Sequence, residues 1–355
     1  MKFYYKTKIL INGLFPMENY SIDGFVQKTG LYDESVINTE SDNFIFYAAG
    51  YLLIGAYSCK GKTGTFYEYF ENDDFFELEI ADEKTIDELQ RYVLDNQIKK
   101  ISLLQKKLRL ITGYAISMPV FKTTIYNENK EFLTYTGHIK HESGNLKVRD
   151  YTEDMKNTLT DRLKYYISDK ALTDLESKNR RFKRALSFYT DSFNQLSNST
   201  RFLLLISALE ALFNLNGEKV KYNVYKYTSK ILFLSKDKEN EKKKIIKHYY
   251  ELRSKYIHGS TVSITIEDVN ILSAIVREVL LIYWNISFVY TKYKATEIKN
   301  ILDTYSCDNI DVRLQLFIKY LRTKPEKFDE LYNKIRANFL KQDYKVLDNK
   351  NLDIE

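Results

Sequence analysis

The spacing of apolar and polar positions changes near residue 150, and the change divides the chain in two. Before it, short aromatic and β-branched runs occur at Lys8-Ile9-Leu10-Ile11 and over residues 43–57, 65–80 and 108–126. Asn12-Gly13, Asp23-Gly24, Gly61 to Gly64 and Asn127-Glu128-Asn129 punctuate these runs as turns, so strands are expected there. One helix with an acidic first turn interrupts them over residues 83–94. After residue 150 the apolar spacing becomes helical. Residues 150–167 put Met155, Leu159, Leu163 and Tyr166 on one side. Further helices are expected over 180–195, 200–213, 222–234, 239–258, 267–290, 312–321 and 325–340. Thr265 with Asp268 resembles a capping box opening the helix at 267. Pro325 suits a first helical position, and Phe328, Leu331, Tyr332, Ile335 and Phe339 follow it as one stripe. The expected fold class is α+β. A strand-rich domain over 1–150 leads through a connecting helix over 151–175 to a helical bundle over 176–292 and a helical extension over 293–355.

Within the helix over 239–258, Ile246, Tyr249, Tyr250, Tyr256 and Ile257 share one face with Arg253. An unpaired guanidinium in an apolar stripe is costly, so a carboxylate, a phosphate ligand or a wet cleft must compensate it. The helix over 201–213 is apolar almost all round and so expected to be buried. Its interruptions after Arg201 are Ser207 and Glu210, neighbours on one face. The economical arrangement sets Glu210 against Arg253 across a helix–helix contact; the alternative is that Glu210 faces a subunit interface or solvent. His258 then falls in the last turn, followed by Gly259, the usual residue just past a helix end. A helix C-terminus favours the imidazolium, and an imidazole near neutrality suits proton transfer. Five residues separate Arg253 from His258, about 140° around an ideal helix, so the two do not stack directly.

Arg253-Ser-Lys-Tyr-Ile-His258-Gly259 matches the Arg-x4-6-His signature of the HEPN superfamily. Leu209-Glu210-Ala211-Leu212-Phe213, taken with Tyr250-Glu-Leu-Arg-Ser-Lys-Tyr-Ile-His258-Gly259, resembles in particular the ApeA-like HEPN branch of bacterial antiphage defence. The resemblance covers roughly residues 175 to 292 and implies a helical HEPN bundle with metal-independent endoribonuclease activity. Cleavage would leave a 2′,3′-cyclic phosphate and a 5′-OH. Arg253 would hold the phosphate, His258 would move the proton, and Glu210 would fix the arginine. It further implies a homodimer whose two motifs line one cleft, a phage-derived trigger, and growth arrest by abortive infection. Many active members carry Asn, Asp or His directly after the motif arginine, where this chain has Ser254. An inactive RNA- or nucleotide-binding module, or a structural interaction protein, therefore stands as the alternative.

Charge changes the picture modestly. The chain of 355 residues carries a net +6, a tilt toward anionic partners. Lys178, Arg180, Arg181, Lys183 and Arg184 cluster without an acid. Arg180, Arg181 and Arg184, with Ser254 and Lys255 of the motif, are the candidate RNA contacts. The lysines at 242, 243, 244 and 247 are interleaved with Asp237, Glu239 and Glu241 and read better as a solvated face. Tyr249, Tyr250 and Tyr256 could stack on bases, but at helical spacing they read better as core. Ala56-Tyr-Ser-Cys-Lys-Gly61-Lys62-Thr63 approximates a phosphate-binding loop, but the residues after it alternate like a strand, which makes a hairpin turn. His138, His141 and Glu142 lack the further ligands that zinc needs, so no metal or cofactor is expected. Cys59 and Cys307 fit no metal or redox spacing. With no signal-peptide pattern and no apolar stretch of spanning length, the expectation is a soluble, cytoplasmic protein with no membrane partner.

Overall fold

The computed structural model describes residues 2–11, 21–22, 24–31, 56–59, 62–72, 75–80, 85–118, 120–139, 179–214, 219–232 and 236–287. The expected helices over 150–167, 312–321 and 325–340 lie outside the described residues, as does most of the strand expected over 43–57. The chain divides into two compact units, Met1–Lys170 with Phe193–Leu196, and Ala171–Ser192 with Ser197–Glu355. An antiparallel sheet forms the first and helices form the second, so the class is mixed α and β.

The first unit is built on β1 (Lys2–Ile11), which pairs along both edges. One edge meets β5 (Lys62–Asn72) and then β6 (Phe76–Glu79); the other meets β7 (Val120–Tyr126). β2 (Ser21–Ile22) and β3 (Phe25–Leu31) extend the sheet beyond β5, and β8 (Phe132–Ile139) extends it beyond β7. Every described pairing is antiparallel, in the order β2-β3-β5-β1-β7-β8. β4 (Ala56–Cys59) pairs with the start of β5, Cys59 opposite Lys62. The described residues of the segment resembling a phosphate loop are thus paired strands, and none of them opens a helix.

Alternation along β1 sorts its side chains. Tyr5, Thr7 and Ile9 are buried, and their partners Ile125, Thr123 and Phe121 on β7 are buried with them. The Thr7 and Thr123 hydroxyls satisfy one another at 2.9 Å inside this face. Against the sheet packs α1 (Ile86–Thr112), opened by a capping box in which Thr85 and Glu88 exchange hydrogen bonds. Leu89 and Val93 of α1 join Ile80 and Ile125 in a core cluster. The Gln90 amide donates to Thr134 Oγ1 and to the Tyr135 carbonyl of β8.

The helix expected over 83–94 therefore runs much further, and the strand expected from residue 108 begins only at Val120. Leu108-Arg-Leu-Ile111 has the composition of a strand, but it forms the last turns of α1, where both apolar and polar side chains are buried. Gly113, at φ 75°, ends the helix by donating its N–H to the Arg109 carbonyl.

The second unit contains α2 (Arg180–Ser192), α3 (Asn198–Phe213), α4 (Val220–Leu232), α5 (Lys236–Ile257) and α6 (Ile266–Ser287). α3 touches each of the other four. Phe202, Leu205, Ile206, Ala208, Leu209, Leu212 and Phe213 are all buried, as its all-round apolar sequence requires. Phe182 of α2 stacks on Tyr283 of α6, and Phe202 meets Tyr249 of α5 edge-on. The expected capping box opens α6: Thr265 N–H donates to Asp268 Oδ2 at 3.0 Å, and Asp268 N–H to Thr265 Oγ1 at 3.2 Å.

Candidate functional site

The site forms where α5 crosses the last turn of α3. α5 buries Ile246, Tyr249 and Tyr250 against the bundle. One turn further along the same face stands Arg253, and the carboxylate of Glu210 on α3 meets it. Arg253 Nη2 lies 3.6 Å from Glu210 Oε1, with side chains 30% and 22% exposed. The anticipated Glu–Arg contact is therefore present, at a half-open position where water still screens the pair.

A third member was not expected. The Tyr250 hydroxyl donates to the same Glu210 Oε1 at 2.5 Å, and the Arg253 guanidinium lies over the Tyr250 ring, 5.6 Å from its centroid. A phenol donating to a carboxylate makes a short, strong hydrogen bond. Burial, and after it the bond to Glu210, push the Tyr250 pKa well above the ordinary phenol value, so the proton stays on the phenol. Each charge thus has two partners: Glu210 meets the Tyr250 hydroxyl and the guanidinium, and Arg253 meets the carboxylate and the Tyr250 ring. The sequence signal was there: a tyrosine three residues before the arginine shares its face, and a buried phenol needs a partner for its hydroxyl.

The end of α5 follows a Schellman pattern. Ser260 N–H donates to the Lys255 carbonyl and Gly259 N–H to that of Tyr256, with Gly259 left-handed at φ 78°. His258 is the capping residue; its own N–H donates to the Ser254 carbonyl and its imidazole is exposed. The expected apolar stripe stops at Arg253. Tyr256 and Ile257 are 36% and 48% exposed, so the burial that covers Ile246, Tyr249 and Tyr250 does not extend to the last turn of α5. Tyr256 was expected in the core and is not there.

Of the candidate RNA contacts, Arg180, Arg184 and Lys255 are exposed and Ser254 is half-buried. Arg181 is engaged: its guanidinium donates to the carbonyl of Asn214, the C-cap of α3, whose N–H in turn donates to the Glu210 carbonyl. A cation at that end complements the negative pole of the helix dipole, and the contact places Arg181 one turn from Glu210. The lysine-rich face of α5 behaves as a solvated surface in part, since Lys247 and Lys221 share Glu251 at 4.0 and 3.7 Å. Lys178, His141 and Glu142 lie outside the described residues. Among the described residues, no group of three or more His, Cys, Asp or Glu could hold a metal, and no helix is long and apolar enough to cross a membrane.

Arg201, at the other end of α3, has a buried Nε with no hydrogen-bond partner among the described residues, and burial lowers its pKa below the usual arginine range. The arrangement as a whole offers a fixed guanidinium on a half-open surface, with an exposed imidazole in the turn beyond. Comparisons with protein-family models, with curated proteins and with solved structures find no match to this chain.

Proposed function

We propose that the helical unit is a HEPN-type endoribonuclease that cleaves RNA without a metal, with Arg253 and His258 as its catalytic pair. The observation that carries this reading is the anchoring of Arg253. Glu210 and Tyr250 hold the guanidinium while leaving it partly open, five residues before an exposed histidine. A charge fixed in advance is what a phosphate gaining charge in the transition state requires. In this mechanism the 2′-oxygen of RNA attacks the adjacent phosphorus and the P–O5′ bond breaks. His258 transfers the proton lost by the 2′-hydroxyl and gained by the 5′-oxygen. Glu210 and Tyr250 are positioning residues; they act through Arg253. DNA lacks the nucleophile and is refused.

The separation of Arg253 from His258 around α5 is met by a homodimer in which two motifs face one cleft. Exposed Tyr256 and Ile257 within the motif would lie at or near that contact. Arg180, Arg184, Lys255 and Ser254 then contact the RNA backbone. We place the activity in antiphage defence, with a phage-derived trigger acting on the protein and RNA cleavage stopping growth.

The test is cleavage of labelled total RNA in EDTA by the wild type, His258→Ala and Arg253→Ala at matched dimer content. Cyclic-phosphate ends from the wild type alone are expected. Equal cleavage by all three proteins would sink the assignment. Binding of RNA without cleavage by the wild type would favour the second reading, an inactive RNA-binding module, for which Ser254 after the motif arginine is the supporting feature.

A further inference from the structure

The opposite face of the sheet from α1 carries a cluster the nuclease reading does not use. Lys2, Tyr4, Lys6 and Lys8 point there from β1, alternating with the buried Tyr5, Thr7 and Ile9. Tyr126 is the cross-strand partner of Tyr4, and Phe132 of β8 is the partner of Tyr126, so these rings share the face. Phe75, just before β6, sits edge-on to both Tyr4 (6.1 Å) and Tyr126 (5.0 Å). Tyr135, two positions of register further along the same face, is 55% exposed, and Phe132 is 65% exposed.

Ammonium groups lie over these rings. Lys6 Nζ is 4.7 Å from the Phe75 centroid, and Lys130 Nζ is 5.2 Å from Phe75 and 5.3 Å from Tyr4. Lys2 also lies over Tyr4, but Glu77 neutralises it at 2.7 Å. Lys6 and Lys130 make no ion pair with a described residue. The turn between β7 and β8 is built to present Lys130. Asn127 Oδ1 accepts from the N–H groups of Asn129 and Glu131, and its amide ties down the Glu131 carboxylate at 2.9 Å. Lys130 itself adopts φ 62°, a left-handed conformation that a lysine takes at a cost.

We propose that this face binds a single-stranded nucleic acid, its unpaired bases stacking on the rings and its phosphates meeting Lys6 and Lys130. Phe75 and Tyr4 are half-buried, and an ammonium resting on such a ring is a weak cover, weaker than a base stacked on it. The base displaces it, and rotation about the lysine side chain carries the charge to a neighbouring phosphate. Stacking on several rings across adjacent strands is a known way for an open sheet to hold unpaired bases. An acidic peptide satisfies the two lysines but gains nothing from Phe132 and Tyr135, which is why the nucleic acid is favoured. The inference is independent of the nuclease assignment, and oligothymidylate keeps the two apart because it has no 2′-hydroxyl to react.

The experiment measures binding of fluorescein-labelled 12-nucleotide oligothymidylate to the full chain by anisotropy across a salt series. Phe132→Ala combined with Tyr135→Ala is expected to raise Kd at least tenfold. Lys6→Gln combined with Lys130→Gln is expected to weaken binding and to reduce the slope of log K against log salt by about 1.4, two phosphate contacts at roughly 0.7 each. Lys130→Glu, a single change in an exposed turn, gives a second handle on the charge and is expected to weaken binding more than Lys130→Gln. Absence of binding by the wild type, or binding that all three variants retain, overturns the proposal. Equal affinity for labelled polyglutamate also overturns it, in favour of an acidic protein partner.

Discussion

Both units set a cation over an aromatic ring, and they do it in opposite ways. In the helical unit Arg253 lies over Tyr250 and is also tied to Glu210, which Tyr250 itself holds. In the sheet unit Lys6 and Lys130 lie over Phe75 and Tyr4 with no described carboxylate to hold them. A guanidinium between a ring and a carboxylate is a fixed charge whose direction is set before any ligand arrives. An ammonium on a ring alone swings away at little cost and serves a ligand by moving. Reactive chemistry is expected at the first arrangement and adaptable binding at the second.

The largest expected effect tests the fixed charge. Arg253→Ala should reduce RNA cleavage by about 10²–10³-fold, the scale for losing one preorganised transition-state contact. Arg253→Lys should not restore it, because an ammonium cannot reproduce the planar fork that the ring and carboxylate orient. Full activity in Arg253→Lys would show that the fixed geometry is irrelevant and would erase the distinction from the sheet lysines.

Next comes the phenol that fixes Glu210. Tyr250→Phe should cost about 1.5–3 kcal/mol, as expected for a hydrogen bond to a charged group. Tyr5→Phe in the sheet unit is the control. Its hydroxyl accepts from the Lys100 ammonium at 2.7 Å, also a bond to a charged group, but the same ammonium keeps its contact with the Tyr5 and Phe76 rings, so the loss should lie at the low end of that range, about 1.5 kcal/mol. Denaturant midpoints of the two variants would decide the order. The tyrosines also set an alkaline limit. Burial, with the Asp268 charge behind it, raises the folded pKa of Tyr249 from 10.0 to about 12, and Tyr250 is raised too. The unfolded chain therefore loses these protons first. Stability present below pH 10 should fall as pH rises from there toward 12, and Tyr250→Phe should soften the fall.

How far this could be read from the chain alone follows the range of the interactions. The Glu210–Arg253 contact was legible because each charge interrupts an otherwise apolar helix face. The capping box at Thr265 and the helix end at Gly259 are local, and both are where the sequence puts them. Leu108-Arg-Leu-Ile111 misled because a short apolar run has no period; its burial inside the first unit keeps it helical up to Gly113. Tyr256 and Ile257 misled because periodicity tells which face a residue shares, and not where the covering helices stop. The ring and lysine cluster was invisible. Phe75, Tyr4 and Tyr126 come together only through the pairing of β1 with β6 and β7, across about seventy residues of chain in one case and about 120 in the other.

Gly259→Ala shifts the His258 end without touching the Arg253 anchor. A Cβ there would meet no atom within 4 Å, so the cost is conformational only, about 1–2 kcal/mol for an L-residue in the left-handed region. Cleavage should fall while the Arg253-dependent affinity for RNA is kept. An unchanged rate with the expected loss of stability would mean that the exact setting of the last turn does not matter for His258.

The smallest effect is expected at Lys130, and it bears most directly on the comparison. Lys130 occupies the left-handed region at φ 62°, which costs an L-residue about 1–2 kcal/mol that glycine avoids. Glycine in turn gives up about 0.5–1 kcal/mol of backbone entropy, and the lost cation–π contact removes a further 0.5–1 kcal/mol or so. These contributions nearly cancel, so Lys130→Gly should change stability by less than about 1 kcal/mol in either direction while removing an ammonium from the sheet face. A thermal melt alongside the oligothymidylate titration reads both quantities. Retained stability with weakened binding marks Lys130 as a residue kept in an unfavourable conformation for its ligand. Destabilisation of 2 kcal/mol or more would instead make it a structural clamp on Phe75 and Tyr4, and the sheet lysines would then be as fixed as Arg253.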